Sequence, residues 1–456
     1  MLTPIAPIAP NPAFALPDVA PRLRIADATL PLTYAAGLEY SPPARGTWTI
    51  MHLGLLIPET HVIFVCARCC LRGVSMSAAE LRALDRFSTV TIEDGNLLEG
   101  DTEAALIEGV SDILGHLPRR PRGVIIYTSC VHEFIGSDLT FSFEELRRRF
   151  PDIVFTDGYM TPILRKRITP DMRNRRQIYT MIRRAPDADR DGGVTMVGDV
   201  RPMGAESDIR AVVEASGRPW RTITATRAWE DYQALGRSGT ALAVNPSAKA
   251  ALDWVEGRLG MRPLMLSTPW GWEENVRMLT DLCRTLGADP GPSGAGLARR
   301  ERVAREMLAR AREAAGETPI AIDQTATTRP LSLARLLLEE GFQVVRLYVD
   351  AALPGEREDF EALQRLKPDL ELRPTIAAAM VRGRARKDAG VLAIGQKAAW
   401  FERTDRFVNM VEGDGRDGFS AVSGLAREII NALARPKSAR ELIQVKALGC
   451  TSGGCL

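Results

Sequence analysis

The chain of 456 residues is longer than one hydrophobic core usually fills, so two or three domains are expected. Its composition, with 45% hydrophobic and 25% charged residues, is that of an ordinary globular protein, and a formal net charge of +2 gives no general field for nucleic acids or membrane surfaces. No apolar run is long enough to span a membrane, and the apolar N-terminus lacks the basic residues of a secretory signal. We therefore expect a cytoplasmic protein that binds neither nucleic acid nor membrane.

Residues 1–45 predict an extended N-terminal arm, because seven prolines occur by Pro31 and apolar periodicity is weak. Arms of this kind often contact other subunits of an oligomer. A first α/β domain is predicted for residues 46–190. It begins with a buried helix that ends before Pro58, and a β-rich strand then leads directly to Cys66.

Two helices and a strand are predicted in the rest of this domain. The run Ser77-Ala78-Ala79-Glu80 has the spacing of a capping box and predicts a helix start, and an amphipathic helix is predicted from Thr102 to Leu117. The nearly continuous apolar run from Gly123 to Thr128 is typical of a strand in a parallel sheet, and Cys130 follows it closely.

Two further domains are predicted by the same alternation of strands and helices. The polar stretch 183–193 is interpreted as a linker. A middle domain then covers residues 191–295, a C-terminal domain covers 296–440, and residues 441–456 form a tail. The sequence therefore predicts the α/β class, with three Rossmann-like open parallel-sheet domains.

Four of the seven cysteines are concentrated in the first domain, namely Cys66, Cys69, Cys70 and Cys130. Two strands of this domain each lead to thiols, and ligands of open α/β sheets gather at the carboxyl ends of strands. An odd number of cysteines in a cytoplasmic chain argues against a disulfide framework. The pattern therefore suggests that thiolates bind a soft metal, either zinc or an iron–sulfur cluster.

Zinc is the less favoured of the two metals. It prefers two Cys-x-x-Cys pairs or a pair with nearby histidines, but only Cys66 and Cys69 form such a pair. The four histidines, His52, His61, His116 and His132, do not have the spacing of a zinc finger. A single histidine near a strand end is usually a packed residue, and a cysteine there is often a small buried hydrophobe.

The run from Thr128 to Leu139, with Cys130 and the segment Ile135-Gly136-Ser137-Asp138-Leu139, resembles the large-subunit family of nitrogenase component 1. In that family a Ser/Glu-Cys-x-x-x-x-Ile-Gly-Asp-Asp-Ile run carries the last of three cysteines that bind a bridging iron–sulfur cluster. Further segments occur in the family's order: Asp157-Gly158-Tyr159, Gly198-Asp199 after a strand, Pro269-Trp270-Gly271 before a helix, and Asp417-Gly418-Phe419 before the last long helix.

The chain also departs from the family pattern. The position of the family's first cluster cysteine is occupied here by Tyr40, and the additional thiols of Cys69 and Cys70 are expected to supply the missing ligand. The sequence leaves open which of the two does so. Tyr40, His61 and Glu133 are candidates for a supporting role around the cluster.

No counterpart is visible for the cysteine and histidine that attach the family's active-site cofactor, since no histidine follows His132 and Cys283 falls inside a predicted helix. The active-site cofactor is therefore expected on a partner chain.

The resemblance implies an electron-transferring subunit of an ATP-dependent, nitrogenase-like reductase. It implies an [8Fe–7S]-like or [4Fe–4S] cluster at a subunit interface, a homologous alpha-like partner in a heterotetramer, and an ATP-hydrolysing iron protein, because this chain has no Gly-x-x-x-x-Gly-Lys-Ser/Thr loop. A homodimer with one shared cluster per interface is the alternative assembly.

Reduction of C–S bonds in methylthio-alkanes is the first expectation for the reaction. A tetrapyrrole reductase subunit and a cofactor-assembly scaffold are the alternatives within the family. Outside catalysis, a three-lobed ligand-binding protein with structural cysteines is possible.

Two basic stretches, two tryptophans and the tail cysteines lie outside the predicted thiol site. Two basic stretches, Arg165-Lys166-Arg167 and the arginines at 173, 175 and 176, are read as solvated faces that could steer an anionic partner. Trp270 and Trp272 are expected to pack in the core. The tail cysteines, Cys450 and Cys455, are expected in a disordered or partner-contacting end.

Overall fold

A computed structural model describes residues 22–30, 40, 42, 50–161, 170–291, 294–352, 354–383 and 390–439. Within these ranges the chain forms three α/β units, each built around its own parallel sheet. The predicted fold class is therefore confirmed. The helices of this part of the chain include none that is both long and apolar enough to cross a bilayer.

A short strand, β1 (Leu23–Arg24), is the first described element, and it belongs to the sheet of the C-terminal unit. It pairs antiparallel with residues 371–372, so that Leu23 lies opposite Leu372 and Arg24 opposite Glu371. This part of the predicted N-terminal arm is therefore an edge strand. The rest of the arm, except for Tyr40 and Pro42, lies outside the described residues.

The first unit holds the predicted thiol site. Its elements are α1 (Ile50–Leu55), β2 (Thr60–Ala67), α2 (Arg68–Glu80), β3 (Phe87–Ile92), α3 (Asp94–Glu99), α4 (Thr102–His116), β4 (Gly123–Thr128), α5 (Cys130–Ile135), α6 (Leu139–Arg149), β5 (Val154–Tyr159) and α7 (Pro170–Gln177). The strands are parallel and lie in the order β3-β2-β4-β5. Strand β3 lies on one side of β2, and β4 lies on the other. The strand order therefore reverses between β2 and β4, and open α/β sheets bind ligands at such a reversal.

Helix α2 begins earlier than the sequence predicts. The expected start at Ser77 is wrong, because the helix already begins at Arg68 and Ser77 lies in its last two turns. The hydroxyl of Ser77 donates to the carbonyl of Gly73 within the helix and caps nothing. The chain turns just beyond the helix, where Arg82 has a left-handed φ of 53°. As a result, Cys69 and Cys70 lie in the first helical turn, directly after β2.

The middle unit consists of β6 (Asp191–Met196), α8 (Asp208–Ala215), β7 (Trp220–Thr222), α9 (Trp229–Ala234), β8 (Ser238–Ala243), α10 (Lys249–Leu259), β9 (Arg262–Met265) and α11 (Trp272–Leu286). The C-terminal unit consists of α12 (Leu297–Ala315), β10 (Pro319–Asp323), α13 (Pro330–Glu339), β11 (Gln343–Tyr348), α14 (Arg357–Leu366), β12 (Glu371–Arg373), β13 (Leu392–Ile394), α15 (Gln396–Glu402), β14 (Phe407–Val408) and α16 (Gly418–Ala434). Their strand orders are β7-β6-β8-β9 and β1-β12-β11-β10-β13-β14.

The hydrophobic core continues from one unit to the next. Strand β8 alternates its side chains between two faces, as a strand must. Ala241 and Ala243 belong to the cluster that includes Tyr127 of the first unit, whereas Leu242 belongs to the cluster that includes Ile320 of the C-terminal unit. The middle sheet is therefore packed on both faces and holds the outer units in place.

A buried arginine joins all three units. The guanidinium of Arg175 on α7 is fully buried; its Nε donates to Asp171 (2.8 Å), its Nη1 to the carbonyl of Gly198 (2.6 Å) and its Nη2 to both oxygens of Glu412 (3.0 Å each). The amide of Asn245 also contacts Glu412 at 3.4 Å. The expectation that Arg175 lies on a solvated face is therefore wrong, because two of its three partners, Gly198 and Glu412, come from the other units and bury it.

Two buried aspartates join the middle and C-terminal units by capping each other's helices. Asp417, at the start of α16, accepts bonds from the Ser207 hydroxyl (2.5 Å) and the Ile209 N–H (2.8 Å) at the start of α8. Asp208, at the start of α8, accepts a bond from the Ser420 N–H at 3.0 Å. Each helix N-terminus thus places a carboxylate next to the positive end of the other helix.

Replacing Arg175 with methionine is expected to lower the free energy of unfolding by about 3–5 kcal/mol, because two buried carboxylates lose their cation. Guanidinium chloride unfolding curves measure this loss. Arg310→Met, at an exposed position of α12, is the matched control and should change the free energy little. A loss below about 1 kcal/mol for Arg175→Met would contradict the central role of this arginine.

The two aspartates make stability depend on pH. Burial, and then the charge of Asp208, raise the pKa of Asp417 to about 7. Asp208 itself forms an ion pair with Arg300 at 2.7 Å. Since the folded protein then binds the proton more tightly than the unfolded chain, wild type should lose stability from about pH 4 to about pH 7 and then level off. The Asp417→Asn variant lacks the titrating carboxyl group and therefore lacks this pH-dependent loss of stability. The difference in unfolding free energy between the two proteins, measured from pH 5 to 8, should fall toward pH 7, and a flat difference would contradict the assignment.

Candidate metal centre

Cys66 and Cys130 lie side by side at the carboxyl ends of β2 and β4. The two strands pair in parallel up to Val65 and Thr128, so Cys66 extends β2 next to Ser129, and Cys130 begins α5 immediately afterwards. Cys66 is fully buried on the same face of the sheet as Phe64 and Tyr127, whereas Cys130 is half-buried. The point at which the strand order reverses therefore carries one thiol from each of its two strands.

Cys69 and Cys70 add two thiols from the first turn of α2. Cys69 is exposed and Cys70 is half-buried, and their sulfur atoms are 3.8 Å apart. No glycine or proline separates them from β2, so the strand passes directly into the helix. The site therefore has a buried inner thiol and an outer pair that reaches the surface.

The four thiols lie close enough to affect one another's ionisation. Burial, and then the charges of Cys70, Cys69 and Cys130, raise the pKa of Cys66 to about 12. The pKa of Cys70 is raised by burial, by the hydrogen bond with Cys69 and by the charges of Cys69 and Cys130. Proximity of this kind makes it unfavourable to ionise several thiols together unless a cation is bound, and a metal that binds thiolates supplies that charge.

The described side chains do not by themselves form a site for a single metal ion. No group of three or more His, Cys, Asp or Glu residues in this part of the chain is arranged to hold one. The donor set nevertheless fits an iron–sulfur cluster, because the number of thiols is the number that such clusters use and their chemistry is that of the usual ligands.

The three supporting residues predicted from the sequence are spread over the molecule. Tyr40 packs against Phe401 of the C-terminal unit, with ring centroids 6.5 Å apart, and its N–H donates to Ile376. His61 lies near the start of β2, at the opposite end from Cys66, and its Nε2 is 2.8 Å from the hydroxyl of Ser88. Only Glu133, exposed on α5, lies next to the thiols.

Polar groups beside Cys130 lack partners. The hydroxyl of Ser129 and both ring nitrogens of His132 are buried, and none of them has a hydrogen-bond partner among the described residues. Burial lowers the pKa of His132 and so keeps its ring neutral. Buried polar groups are normally paired, so the Ser129 hydroxyl is available to water or to a group bound beside Cys130.

Four large apolar side chains on helices of the first unit are exposed, which was not predicted from the sequence. They are Leu98 on α3 (88% exposed), Phe134 (72%) and Ile135 (44%) on α5, and Phe141 on α6 (54%). The loop between α5 and α6 is joined to the start of α4. There, Glu103 accepts a bond from the Asp138 N–H at 2.6 Å, and the hydroxyls of Thr102 and Ser137 are 3.0 Å apart. Exposed apolar side chains of this size, when they gather on one surface, are typical of a surface that binds another protein.

Cys283, Trp270 and Trp272 belong to the middle unit and not to the unit that holds the clustered thiols. Cys283 is buried within α11, as expected. Trp270 is buried as well and donates to the hydroxyl of Thr327, whereas Trp272 is partly buried and donates to Glu340. The tail cysteines and the basic stretch 165–167 lie outside the described residues.

The thiols of the metal-free protein are expected to differ in reactivity toward iodoacetamide. Cys69 should be alkylated first, because it is exposed, and Cys66 last, because it is buried and its pKa is raised. Peptide mass spectrometry over a time course at pH 8 measures the order. Equal rates for Cys66 and Cys69 would contradict the buried position of Cys66, and a fully unfolded sample provides the reference rates.

Comparisons with known proteins agree on one family. The model of the family "Nitrogenase component 1 type Oxidoreductase" matches residues 50–388. A solved structure described as "Nitrogenase Cp1 at pH 6.5" is similar with a TM-score of 0.64 and 13% identity, covering 88% of this chain and 95% of the other. A second, "Nitrogenase Cp1 at pH 5", is similar with a TM-score of 0.60 and 11% identity, covering 90% and 92%. No curated protein sequence gives a significant match.

At these identities the likeness to the solved structures supports the fold alone. The family model, in contrast, matches well over half of the chain, and its span includes all four clustered thiols. The chain therefore belongs to the nitrogenase component 1 family of oxidoreductases.

Proposed function

We propose that this chain is the iron–sulfur-carrying subunit of an ATP-dependent, nitrogenase-like reductase. Cys66, Cys130 and at least one of Cys69 and Cys70 would hold the cluster, which is [4Fe–4S] or [8Fe–7S]-like. The observation that carries the proposal is the convergence of these thiols where the strand order of the first sheet reverses. Packing accounts for Cys66 and Cys70, which contact the core, but not for the exposed Cys69.

The gradient of burial across the thiols supports a cluster shared between subunits. Cys66 is enclosed by this chain, whereas Cys69 is open to the surface. The exposed apolar side chains of Leu98, Phe134, Ile135 and Phe141 belong to the same unit and would be covered by a homologous alpha-like chain. Such a partner would complete the outer side of the site and, in this proposal, carry the active-site cofactor.

A bound cluster would accept single electrons at low potential from a separate ATP-hydrolysing iron protein. This chain's own residues then have two tasks. The enclosed position of Cys66 keeps water from the inner side of the site, and the short helix α5 fixes Cys130 relative to β4. Ser129 and His132 provide buried polar atoms next to a thiolate ligand, where hydrogen bonding tunes the potential of a cluster.

Reduction of C–S bonds in methylthio-alkanes is our first choice of reaction. It rests on the resemblance and on the Cys-x-x-Cys-Cys run, which departs from the nitrogenase pattern. The tetrapyrrole-reductase and assembly-scaffold alternatives use the same cluster, so they share the test below.

The cluster is tested on protein that is purified without oxygen. We expect brown protein with about four or more irons and matching acid-labile sulfide per chain, and an electron paramagnetic resonance signal after reduction. Cys66→Ser and Cys130→Ser should lose most of the iron and the signal. Single Cys69→Ser and Cys70→Ser variants should show which outer thiol binds, and Tyr40→Phe should leave the signal unchanged.

The matched control is Cys283→Ala, which removes a buried thiol outside the site and should keep the iron. Circular dichroism of each variant separates the loss of the cluster from the loss of the fold. Colourless protein with stoichiometric zinc would instead support structural cysteines, and full iron content in both Cys66→Ser and Cys130→Ser would refute the proposed ligands.

A further inference from the structure

A second site is suggested by a cleft between α12 and α16, remote in sequence from the thiols. The two helices pack against each other. Beside their N-terminal halves they leave a cleft of about 610 Å³. Its walls are formed by residues of both helices and of the loops that precede α8 and α12.

Each helix contributes one stripe of residues to this cleft. On α12 the stripe is Arg299, Arg300 and Val303, and on α16 it is Ser420, Ser423 and Arg427. Ser420, Ser423 and Arg427 are three and four residues apart and so share one face of α16, and Arg299 and Arg300 each lie three or four residues before Val303 on α12. Three guanidinium groups and two hydroxyl groups therefore line one concave surface.

Only one of the three arginines is neutralised by an acid. Arg300 donates to Asp208 (2.7 Å) and to the carbonyls of Glu206 and Ala295 (3.0 Å each). Arg299 and Arg427 are exposed, and neither has an acidic partner in the described part of the chain. Glu206 also lines the rim of the cleft. Apart from the Arg300–Asp208 pair, the cleft therefore presents two guanidinium groups and one carboxylate.

We propose that this cleft binds a small molecule through a phosphate group. Arginines on two facing helices approach a ligand from different directions, and the oxygens of a phosphate accept several charge-assisted bonds at once. The hydroxyl of Ser423 lies on the same stripe as Arg427 and would add a neutral donor, whereas the Ser420 hydroxyl already donates to the carbonyl of Asp417 (2.6 Å). The site joins the middle and C-terminal units, since Asp208 and Arg300 belong to its wall.

The probe for this site is inorganic pyrophosphate, titrated into the full chain by calorimetry at constant ionic strength. We expect saturable binding by wild type and a weakening of about tenfold in each of Arg299→Ala and Arg427→Ala, because each removes a charge-assisted bond. Both residues are exposed, so the variants should fold, and circular dichroism checks this. Arg310→Ala is the matched control, since Arg310 is an exposed arginine roughly 16 Å further along α12.

Three results would overturn the proposal. The first is the absence of saturable binding by wild type at millimolar pyrophosphate, and the second is an Arg299→Ala/Arg427→Ala double variant that binds as tightly as wild type. Equal affinity for malonate would make the cleft a general anion site and refute the assignment to phosphate. None of these results depends on iron content, so the site is tested independently of the cluster.

Discussion

The buried guanidinium of Arg175 is the contact on which the arrangement of the three units depends. It is the only described side chain that donates at once to its own helix, to a carbonyl of the middle unit and to a carboxylate of the C-terminal unit. A planar guanidinium can satisfy three directions in this way, whereas a lysine ammonium offers no bidentate contact with a carboxylate. Because a buried charge is costly without such partners, any displacement of one unit would leave Arg175, Glu412 or both uncompensated.

The thiol site follows from the topology of the first sheet. The strand order reverses between β2 and β4, and a cysteine stands near the carboxyl end of each strand: Cys66 is the penultimate residue of β2, and Cys130 begins the helix two residues after β4. The direct passage from β2 into α2 then places Cys69 and Cys70 at the same end of the sheet. Four thiols are gathered from two segments of the chain without any special loop, which is why a simple parallel sheet suffices to form the site.

Much of the fold was readable from the sequence because strands and helices alternate with clear boundaries. The strand at Gly123–Thr128 was predicted at its observed bounds, since a fully buried parallel strand is a continuous apolar run. The start of α2 was missed because Ser77 and Glu80 have the spacing of a capping box, yet the helix had already begun at Arg68. Local pattern cannot distinguish the start of a helix from its interior when the polar residues fit both.

Burial and exposure that depend on contacts distant in sequence could not be predicted from the sequence. Arg175 belongs to a charged run and looks solvated, and its burial comes from Gly198 and Glu412, which are remote in sequence. The exposure of Phe134 and Ile135 was hidden for the same reason, since an apolar pair after a strand normally turns inward. The cysteines could be proposed as ligands from the sequence because their chemistry, unlike burial, is visible in the residue type.

The short strand β1 has a consequence for how the protein is made. It closes an edge of the C-terminal sheet by pairing with β12, and such edges otherwise invite pairing with other chains. The two partners are separated by about three quarters of the polypeptide, so at ribosomal rates of about 5–20 residues per second β1 must wait roughly 20–70 s for β12 to emerge. During that interval the nascent N-terminus has no native strand to join, and the last sheet can mature only after most of the chain has left the ribosome.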